Sequence, residues 1–106
     1  MRLYIRGLFR MTSDDARLKK LRFRAWRRGF READLILGPF ADKHVSSMSE
    51  AELAEFERLL DQPDQDLYAW IVGMLPAPAA FDGELLNRIR VFRLEAHPKG
   101  GEARGG

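Results

Sequence analysis

The spacing of helix-breaking residues constrains this chain more than any other feature of its sequence. Gly29, the pair Gln62-Pro63, the proline-containing connector 75–79 and Pro98 each interrupt segments whose apolar residues recur every three or four positions. Proline removes a backbone donor and fixes its own φ, and glycine readily takes the left-handed conformation that ends a helix. No segment alternates polar and apolar residues as a half-buried strand does. The sequence therefore predicts an all-α fold, a single-domain bundle of five short helices.

Local start and stop signals set the bounds of these helices. The clearest is the capping box Ser49-Glu50-Ala51-Glu52, in which Ser49 caps a helix and Glu52 reaches back to it. The Gly38-Pro39 pair lies inside the second helix, where we expect a kink or a split, and residues 45–48 read as a short loop. The predicted helices run from Asp14 or Asp15 to Arg28, from Glu32 to about His44, from Ser49 to Leu60 or Asp61, from a cap at Asp64 or Asp66 to about Gly73, and from a cap at Asp82 to about Ala96.

Each predicted helix carries one apolar stripe, and we expect the five stripes to share a core. Trp70 is in register with its stripe and should pack inside. Trp26, beside a charged turn, either joins the first stripe or stays partly exposed as a contact residue. In chain order the stripes are Leu18, Leu21 and Ala25; Leu35, Ile36 and Phe40; Leu53, Phe56, Leu59 and Leu60; Leu67, Trp70, Ile71 and Met74; and Leu85, Leu86, Ile89 and Phe92.

The two ends of the chain differ in composition from its middle. Residues 1–12 are basic and free of acidic residues, and residues 98–106 are rich in glycine. We predict a flexible N-terminal arm over 1–12, a folded domain over 13–97 and a disordered tail over 98–106. The arm lacks the apolar core and cleavage site of a signal peptide, and it is short and serine-free for a mitochondrial presequence. A bacterial cytoplasmic location is expected, with the mitochondrial matrix as the less favoured alternative.

Several kinds of chemistry are disfavoured by what the sequence lacks. Without cysteine there are no disulfides, zinc–thiolate sites, iron–sulfur ligands or thiol nucleophiles. No apolar run approaches the roughly 18 residues needed to cross a bilayer, so membrane insertion is not expected. His44 and His97 stand apart from any second ligand at metal-binding spacing, and no phosphate loop, dinucleotide fingerprint or catalytic triad is present. These absences disfavour a metal site and make an enzyme the weakest of the functional hypotheses.

Charge is unevenly distributed along the chain. Residues 1–40 carry eleven Lys/Arg against four Asp/Glu, whereas residues 41–106 carry seven against twelve. The basic half could meet an acidic protein or the phosphates of nucleic acid. The acidic later helices would repel phosphate over much of the surface, so nucleic acid is the less favoured partner. A small helical DNA-binding protein nevertheless remains one alternative.

The segment between the first two predicted helices is the best candidate for a contact site. Gly29 exposes bare backbone that another surface can approach closely, and arginine and carboxylate side chains around it could grip polar groups on that surface. The plainer alternative is a helix C-cap flanked by solvated charges. The candidate partner-binding residues are Arg27, Arg28, Gly29, Phe30, Arg31 and Glu32.

These residues also resemble a known family. Arg28-Gly29-Phe30-Arg31-Glu32 is similar to the Arg-Gly-x-x-Glu signature of the SdhE-type succinate dehydrogenase assembly factors, which promote flavinylation. The segment 64–70, Asp-Gln-Asp-Leu-Tyr-Ala-Trp, is similar to the family's Asp-x-Asp-Leu-x-x-Trp segment. The resemblance covers most of residues 15–95. Phe30 and Ala33 depart from the methionine and leucine common in the family, which changes packing more than charge.

The resemblance implies a five-helix assembly factor that is not itself an enzyme and that binds the flavoprotein subunit of succinate dehydrogenase, with that of fumarate reductase as a further candidate partner. It implies that covalent attachment of FAD occurs on a histidine of the partner, and that this chain binds no cofactor stably and acts on FAD carried by the partner. Arg28, Gly29 and Glu32 are the contact residues carried over from the family motif. An antitoxin-like or regulatory protein-binding module stays open as a second alternative.

Overall fold

The structure, a computed structural model, describes residues 13–96, and this part of the chain folds into five α-helices. A 3₁₀ turn, Val45–Ser47, joins the second helix to the third, in place of the predicted loop. Residues 13–96 contain no strand, so the predicted all-α class and five-helix bundle are confirmed. The predicted arm over 1–12 and tail over 98–106 lie outside the described residues. The helices are α1 (Ser13–Trp26), α2 (Arg31–His44), α3 (Glu50–Leu60), α4 (Asp64–Val72) and α5 (Glu84–Ala96).

Helix α3 begins with the predicted capping box. The Ser49 hydroxyl accepts a hydrogen bond from the Glu52 amide at 3.2 Å, and the Glu52 carboxylate accepts one from the Ser49 amide at 2.8 Å. The Ser49 amide is the main reason that the pKa of Glu52 lies below its usual value. Two amides that the helix leaves without partners are thereby satisfied.

The core lies where α2, α3 and α5 meet. Phe40 of α2 is fully buried, and its ring packs edge-on against Phe56 of α3 at 5.7 Å and against Phe92 of α5 at 5.6 Å between centroids. This arrangement is favourable for aromatic pairs. Trp70 of α4 is buried and stacks on Phe81 at 5.5 Å. The predicted core members that are buried include Leu21, Ala25, Ile36, Phe40, Leu53, Phe56, Leu59, Leu60, Leu67, Trp70, Ile71, Leu85, Leu86 and Ile89.

Two residues assigned to the core by their spacing lie outside it. Leu35 is 47% exposed, because it lies outside the buried face of α2, which consists of residues 33, 36, 37, 38, 40 and 41. Leu37 is fully buried instead. Met74 is 71% exposed, because α4 ends at Val72 and Gly73 turns the chain with a φ of 86°.

Three helix starts or ends also differ from prediction. Helix α1 ends at Trp26, before Arg28, whose amide donates to Asp34 Oδ1 at 3.0 Å and so does not continue the helix. Helix α4 begins at Asp64 with Pro63 as its N-cap, so neither Asp64 nor Asp66 caps it. Helix α5 begins at Glu84, later than the predicted cap Asp82.

Helix α2 runs through Pro39 in one piece, so the predicted split does not occur. Proline deprives only the carbonyl one turn earlier of its helical partner. That carbonyl belongs to Leu35, on the exposed side of α2, where water can replace the missing amide. The helix therefore tolerates the proline at its surface.

Ion pairs connect α1 to α3. Arg17 makes two parallel hydrogen bonds to the Glu57 carboxylate, at 2.8 and 2.9 Å, and also contacts Glu50. Arg24, two turns further on, pairs with Asp61. Such pairs near the surface add little stability individually, but they fix which side of α1 faces α3. Among residues 13–96, no helix is both long and apolar enough to span a membrane.

Candidate functional site

The segment Arg27-Arg28-Gly29-Phe30, hereafter the Gly29 loop, connects α1 to α2 and turns at an exposed glycine. Gly29 has a φ of 88°, and a Cβ built on it would meet no atom within 4 Å. The left-handed backbone here costs a residue with a side chain about 1–2 kcal/mol. The space above the glycine is open to solvent, so its bare backbone can be reached by another molecule, as the sequence predicted.

Arg28 points into the protein, and this is the main surprise of the site. Its side chain is 6% exposed. The guanidinium donates to the carbonyls of Leu60, at 2.7 Å, and Gln62, at 2.6 Å. Its Nε lies 2.8 Å from Asp64 Oδ1, although the N–H is not aligned for a hydrogen bond, so that contact is ionic. Arg28 thus attaches the Gly29 loop to the connection between α3 and α4.

Two further contacts hold the loop from its other side. Asp34, in the first turn of α2, accepts the hydrogen bond from the Arg28 amide. The Phe30 ring packs edge-on against Tyr68 of α4, with 5.1 Å between centroids, and is half-buried. The loop is therefore tied to α2, to α4 and to the α3–α4 connection at once. Asp34 and Tyr68 were not identified from the sequence, where each reads as an ordinary polar residue on its helix.

The other predicted contact residues face outward. Arg27, Arg31 and Glu32 are exposed, and none of them forms an ion pair with another residue of the described range 13–96. Glu32 lies in the first turn of α2, where the helix dipole favours a carboxylate. The Arg27 guanidinium lies 4.9 Å from the centre of the Phe23 ring. Gly29, Glu32 and these two arginines are thus accessible together, whereas Arg28 is not.

An open depression of about 380 Å³ lies beside Gly29. Its other walls are Phe30 and the start of α4, namely residues 63–66. The carboxylates of Asp64 and Asp66 make this wall acidic, and Asp64 is partly neutralised by Arg28. The glycine therefore stands between an exposed basic flank and an acidic wall.

The described histidine is part of the packing. The His44 ring lies 4.7 Å from Phe40 and 5.9 Å from Phe92 between centroids. Burial is the main cause that lowers its pKa, with Arg88 and Lys43 adding to the effect. Within residues 13–96, no three histidine or carboxylate side chains converge as a metal site would need. His97 lies outside the described residues.

A family model described as flavinator of succinate dehydrogenase matches residues 19–93. The chain belongs to this family. The flavinator match includes the whole Gly29 loop, Glu32 and the start of α4, and it confirms the resemblance stated from residues 28–32 and 64–70.

Individual flavinator relatives are similar over most of the chain. The FAD assembly factor SdhE of Acetobacter pasteurianus is 36% identical over 74 residues, which is 70% of this chain and 68% of that protein. The mitochondrial succinate dehydrogenase assembly factor 2 of Mycosarcoma maydis is 35% identical over 89 residues, 83% of this chain and 37% of the relative. The corresponding protein of Meyerozyma guilliermondii is 36% identical over 85 residues, 74% of this chain and 63% of the relative. The chain thus spans between about a third and two thirds of the length of these relatives.

Proposed function

We propose that this chain is an assembly factor that binds the flavoprotein subunit of succinate dehydrogenase and promotes covalent attachment of FAD to it. Membership of the flavinator family supports the proposal, as do relatives named for the assembly of succinate dehydrogenase or of FAD. The observation that carries it is the exposed Gly29, held at a φ of 88° in the stretch that the family model matches. A fixed, side-chain-free turn is suited to entering a narrow cleft on a larger protein.

The Gly29 loop enters the flavin cleft of the partner, where a side chain at this position would clash. Glu32, Arg27 and Arg31 then pair with polar groups on the cleft walls and hold one arrangement of the partner's domains. Arg28 acts within this chain, where its hydrogen bonds hold the loop in the conformation that exposes Gly29. The effect on the reaction is one of orientation, because the bound FAD is aligned with its acceptor histidine. This chain contributes no group to the bond that forms.

FAD belongs to the partner in this proposal. The depression beside Gly29 is a poor fit for the cofactor, because its wall carries the carboxylates of Asp64 and Asp66, which would repel the diphosphate of FAD. The chain therefore acts on FAD that the flavoprotein subunit has already bound. The flavoprotein subunit of fumarate reductase is the alternative client. We place the protein in a bacterial cytoplasm, since the similar factor of Acetobacter pasteurianus is bacterial, whereas several eukaryotic relatives are named as mitochondrial.

The proposal is tested by co-expressing each flavoprotein subunit with the tagged chain in cells that lack their own flavinator. Covalent flavin is read as in-gel fluorescence of the denatured subunit, and the subunit is captured on the tag. We expect the wild-type chain to raise covalent flavin on the succinate dehydrogenase subunit and to retain it. The proposal is refuted if the chain raises covalent flavin on neither flavoprotein subunit and captures neither of them.

Glu32→Ala tests the role of the loop in the same assay, with Glu84→Ala as its matched control. Both glutamates are exposed and lie in the first turn of a helix, so the two changes should alter the free energy of unfolding similarly. We expect Glu32→Ala to lower covalent flavin severalfold and Glu84→Ala to leave it at the wild-type level. Equal activity of the two variants would exclude Glu32 from the contact.

A further inference from the structure

Three exposed apolar side chains lie together on the outward side of α1 and α2. Phe23 is 60% exposed, Trp26 39% and Leu35 47%. Phe23 and Trp26 are one turn apart on α1, and the Trp26 ring lies on Gly38, one turn from Leu35 on α2. These three exposed side chains, on two helices that meet at the Trp26–Gly38 contact, are hereafter the Trp26 face.

The Trp26 ring is held in a defined position on this face. A Cβ at Gly38 would come within 2.2 to 2.6 Å of three ring atoms, so the indole occupies the space that any larger residue would fill. Its Nε1 donates to Asp42 Oδ2 at 3.0 Å. A large aromatic side chain that is fixed and still exposed loses little entropy when another surface covers it, which is typical of interface anchors.

The charges of α1 are divided between its two sides. Arg17 and Arg24 face α3 and pair with carboxylates of that helix and of Asp61, its C-cap. Around the Trp26 face, by contrast, Arg22, Arg27 and Arg31 form no ion pair with any residue from 13 to 96. The nearby carboxylates of Asp34 and Asp42 accept hydrogen bonds from the Arg28 amide and the Trp26 indole. The face is thus apolar, with the unpaired cation of Arg27 over its Phe23 ring, which fits an acidic surface with apolar side chains at its middle.

We infer that the Trp26 face is a second part of the docking surface and that its occupant is the flavoprotein subunit. This inference rests on the proposed function. It extends the contact from the Gly29 loop onto the outward sides of α1 and α2, because Arg27 belongs to the loop and its guanidinium lies over the Phe23 ring of the Trp26 face. The loop enters the cleft, and the Trp26 face covers an acidic, partly apolar area next to the cleft entrance.

The tryptophans provide a direct test. Incorporation of 5-fluorotryptophan into this chain alone gives one ¹⁹F resonance for Trp26 and one for Trp70, which is buried, and Trp70→Phe assigns them. Binding to the unlabelled flavoprotein subunit broadens both resonances equally, because the complex tumbles more slowly. We expect the Trp26 resonance to shift or broaden beyond this common increase in linewidth. A complex in which both resonances change only by that uniform broadening would overturn the inference.

Two double variants test whether the face contributes to affinity. Phe23→Gln with Leu35→Gln removes the exposed apolar side chains of the face, and we expect the Kd for the subunit to rise about tenfold or more. Met74→Gln with Leu75→Gln is the control. These residues are 71% and 53% exposed and follow the C-terminal end of α4, so the Kd of this double variant for the subunit should stay at the wild-type value. Thermal melts show whether each variant remains folded.

The outcomes separate this inference from the proposed function. If the wild-type chain binds neither flavoprotein subunit, both fail. If it binds and the Phe23/Leu35 variant binds equally well, the inference fails and the proposed function stands. A Trp26 resonance that moves on dilution of the chain alone would assign the face to a second copy, and one that moves with anionic phosphatidylglycerol vesicles but not with the subunit would assign it to a membrane surface. Either result would overturn the inference.

Discussion

Two glycines provide a matched pair that separates access from stability. Gly29 and Gly73 have φ values of 88° and 86°, both are exposed, and a Cβ at either would meet no atom within 4 Å. Replacement by arginine therefore strains the backbone equally at the two positions. Gly29 lies in the proposed contact, beside the N-terminal end of α4. Gly73 follows the C-terminal end of the same helix.

The stability cost can be worked out from this geometry. A left-handed backbone costs a residue with a side chain about 1–2 kcal/mol, and open space above both glycines means that no clash is added. In a domain of this size each kcal/mol lowers Tm by roughly 4–8 °C. Gly29→Arg and Gly73→Arg should melt at similar temperatures, and the corresponding alanine variants should melt close to them.

Their effects on covalent flavin should differ. We expect Gly29→Arg to abolish the increase in covalent flavin on the partner, because the side chain blocks close approach of the loop. Gly73→Arg should retain most of it. The assay is the in-gel fluorescence of the co-expressed subunit, normalised to the soluble amount of each variant. If the two variants lose flavin attachment to the same extent at similar Tm, the loss is one of stability and the argument from close approach is wrong.

Other substitutions test the contacts that hold the Gly29 loop and the helices together. Arg28→Ala should lower the free energy of unfolding in denaturant titrations by about 3 kcal/mol, because it leaves two carbonyls and a carboxylate without their partner; a loss below about 1 kcal/mol would contradict the anchoring role. Gly38→Ala should be destabilising by about 1–3 kcal/mol, because the indole of Trp26 occupies the space. In a Trp26→Ala background the same change should cost about 1–2 kcal/mol less, because the ring no longer fills the space, although the residue before Pro39 stays restricted in both backgrounds; an equal cost in both backgrounds would show that the ring does not matter. Hydrogen bonds from Arg17 lower the pKa of Glu57 below its usual 4.5, so this pair contributes fully above pH 4.5 and is lost as the pH falls through the lower value of the folded state. The Tm should therefore fall more steeply below pH 4.5 for the wild type than for Glu57→Gln. Parallel curves of Tm against pH for the two proteins would exclude the pair as a cause of the acid sensitivity.

Local signals account for what could be predicted about the fold. The capping box at Ser49 and the three- and four-residue spacing of apolar side chains act within one helix. The capping box is present in the structure, and the spacing identifies most of the buried residues. The assignment of Leu35 to the core was wrong, because adjacent apolar residues in α2 allow more than one choice of buried stripe. Only packing against the rest of the bundle selects Leu37 for the core and leaves Leu35 outside.

The site was predictable only in part. Gly29 has the positive φ that its position after a helix suggested. The inward direction of Arg28 was not predictable, because two of its partners are the backbone carbonyls of Leu60 and Gln62. Every residue has a carbonyl, so no side-chain pattern marks the ones that are free to accept a bond. The contact between Trp26 and Gly38 was missed for a similar reason, since a glycine in a helix does not reveal which ring rests on it.

The position of Arg28 has a consequence for how selectively this chain would dock in the proposed complex. One side chain joins two chain turns that are more than thirty residues apart in sequence, so neither turn has to be ordered when a complex forms. Docking should then behave as the meeting of rigid bodies, with little entropy lost by the smaller one. A loop that cannot change its shape would bind poorly to a protein whose cleft does not match it. The rigid turn would therefore select among possible partners by the shape of their clefts.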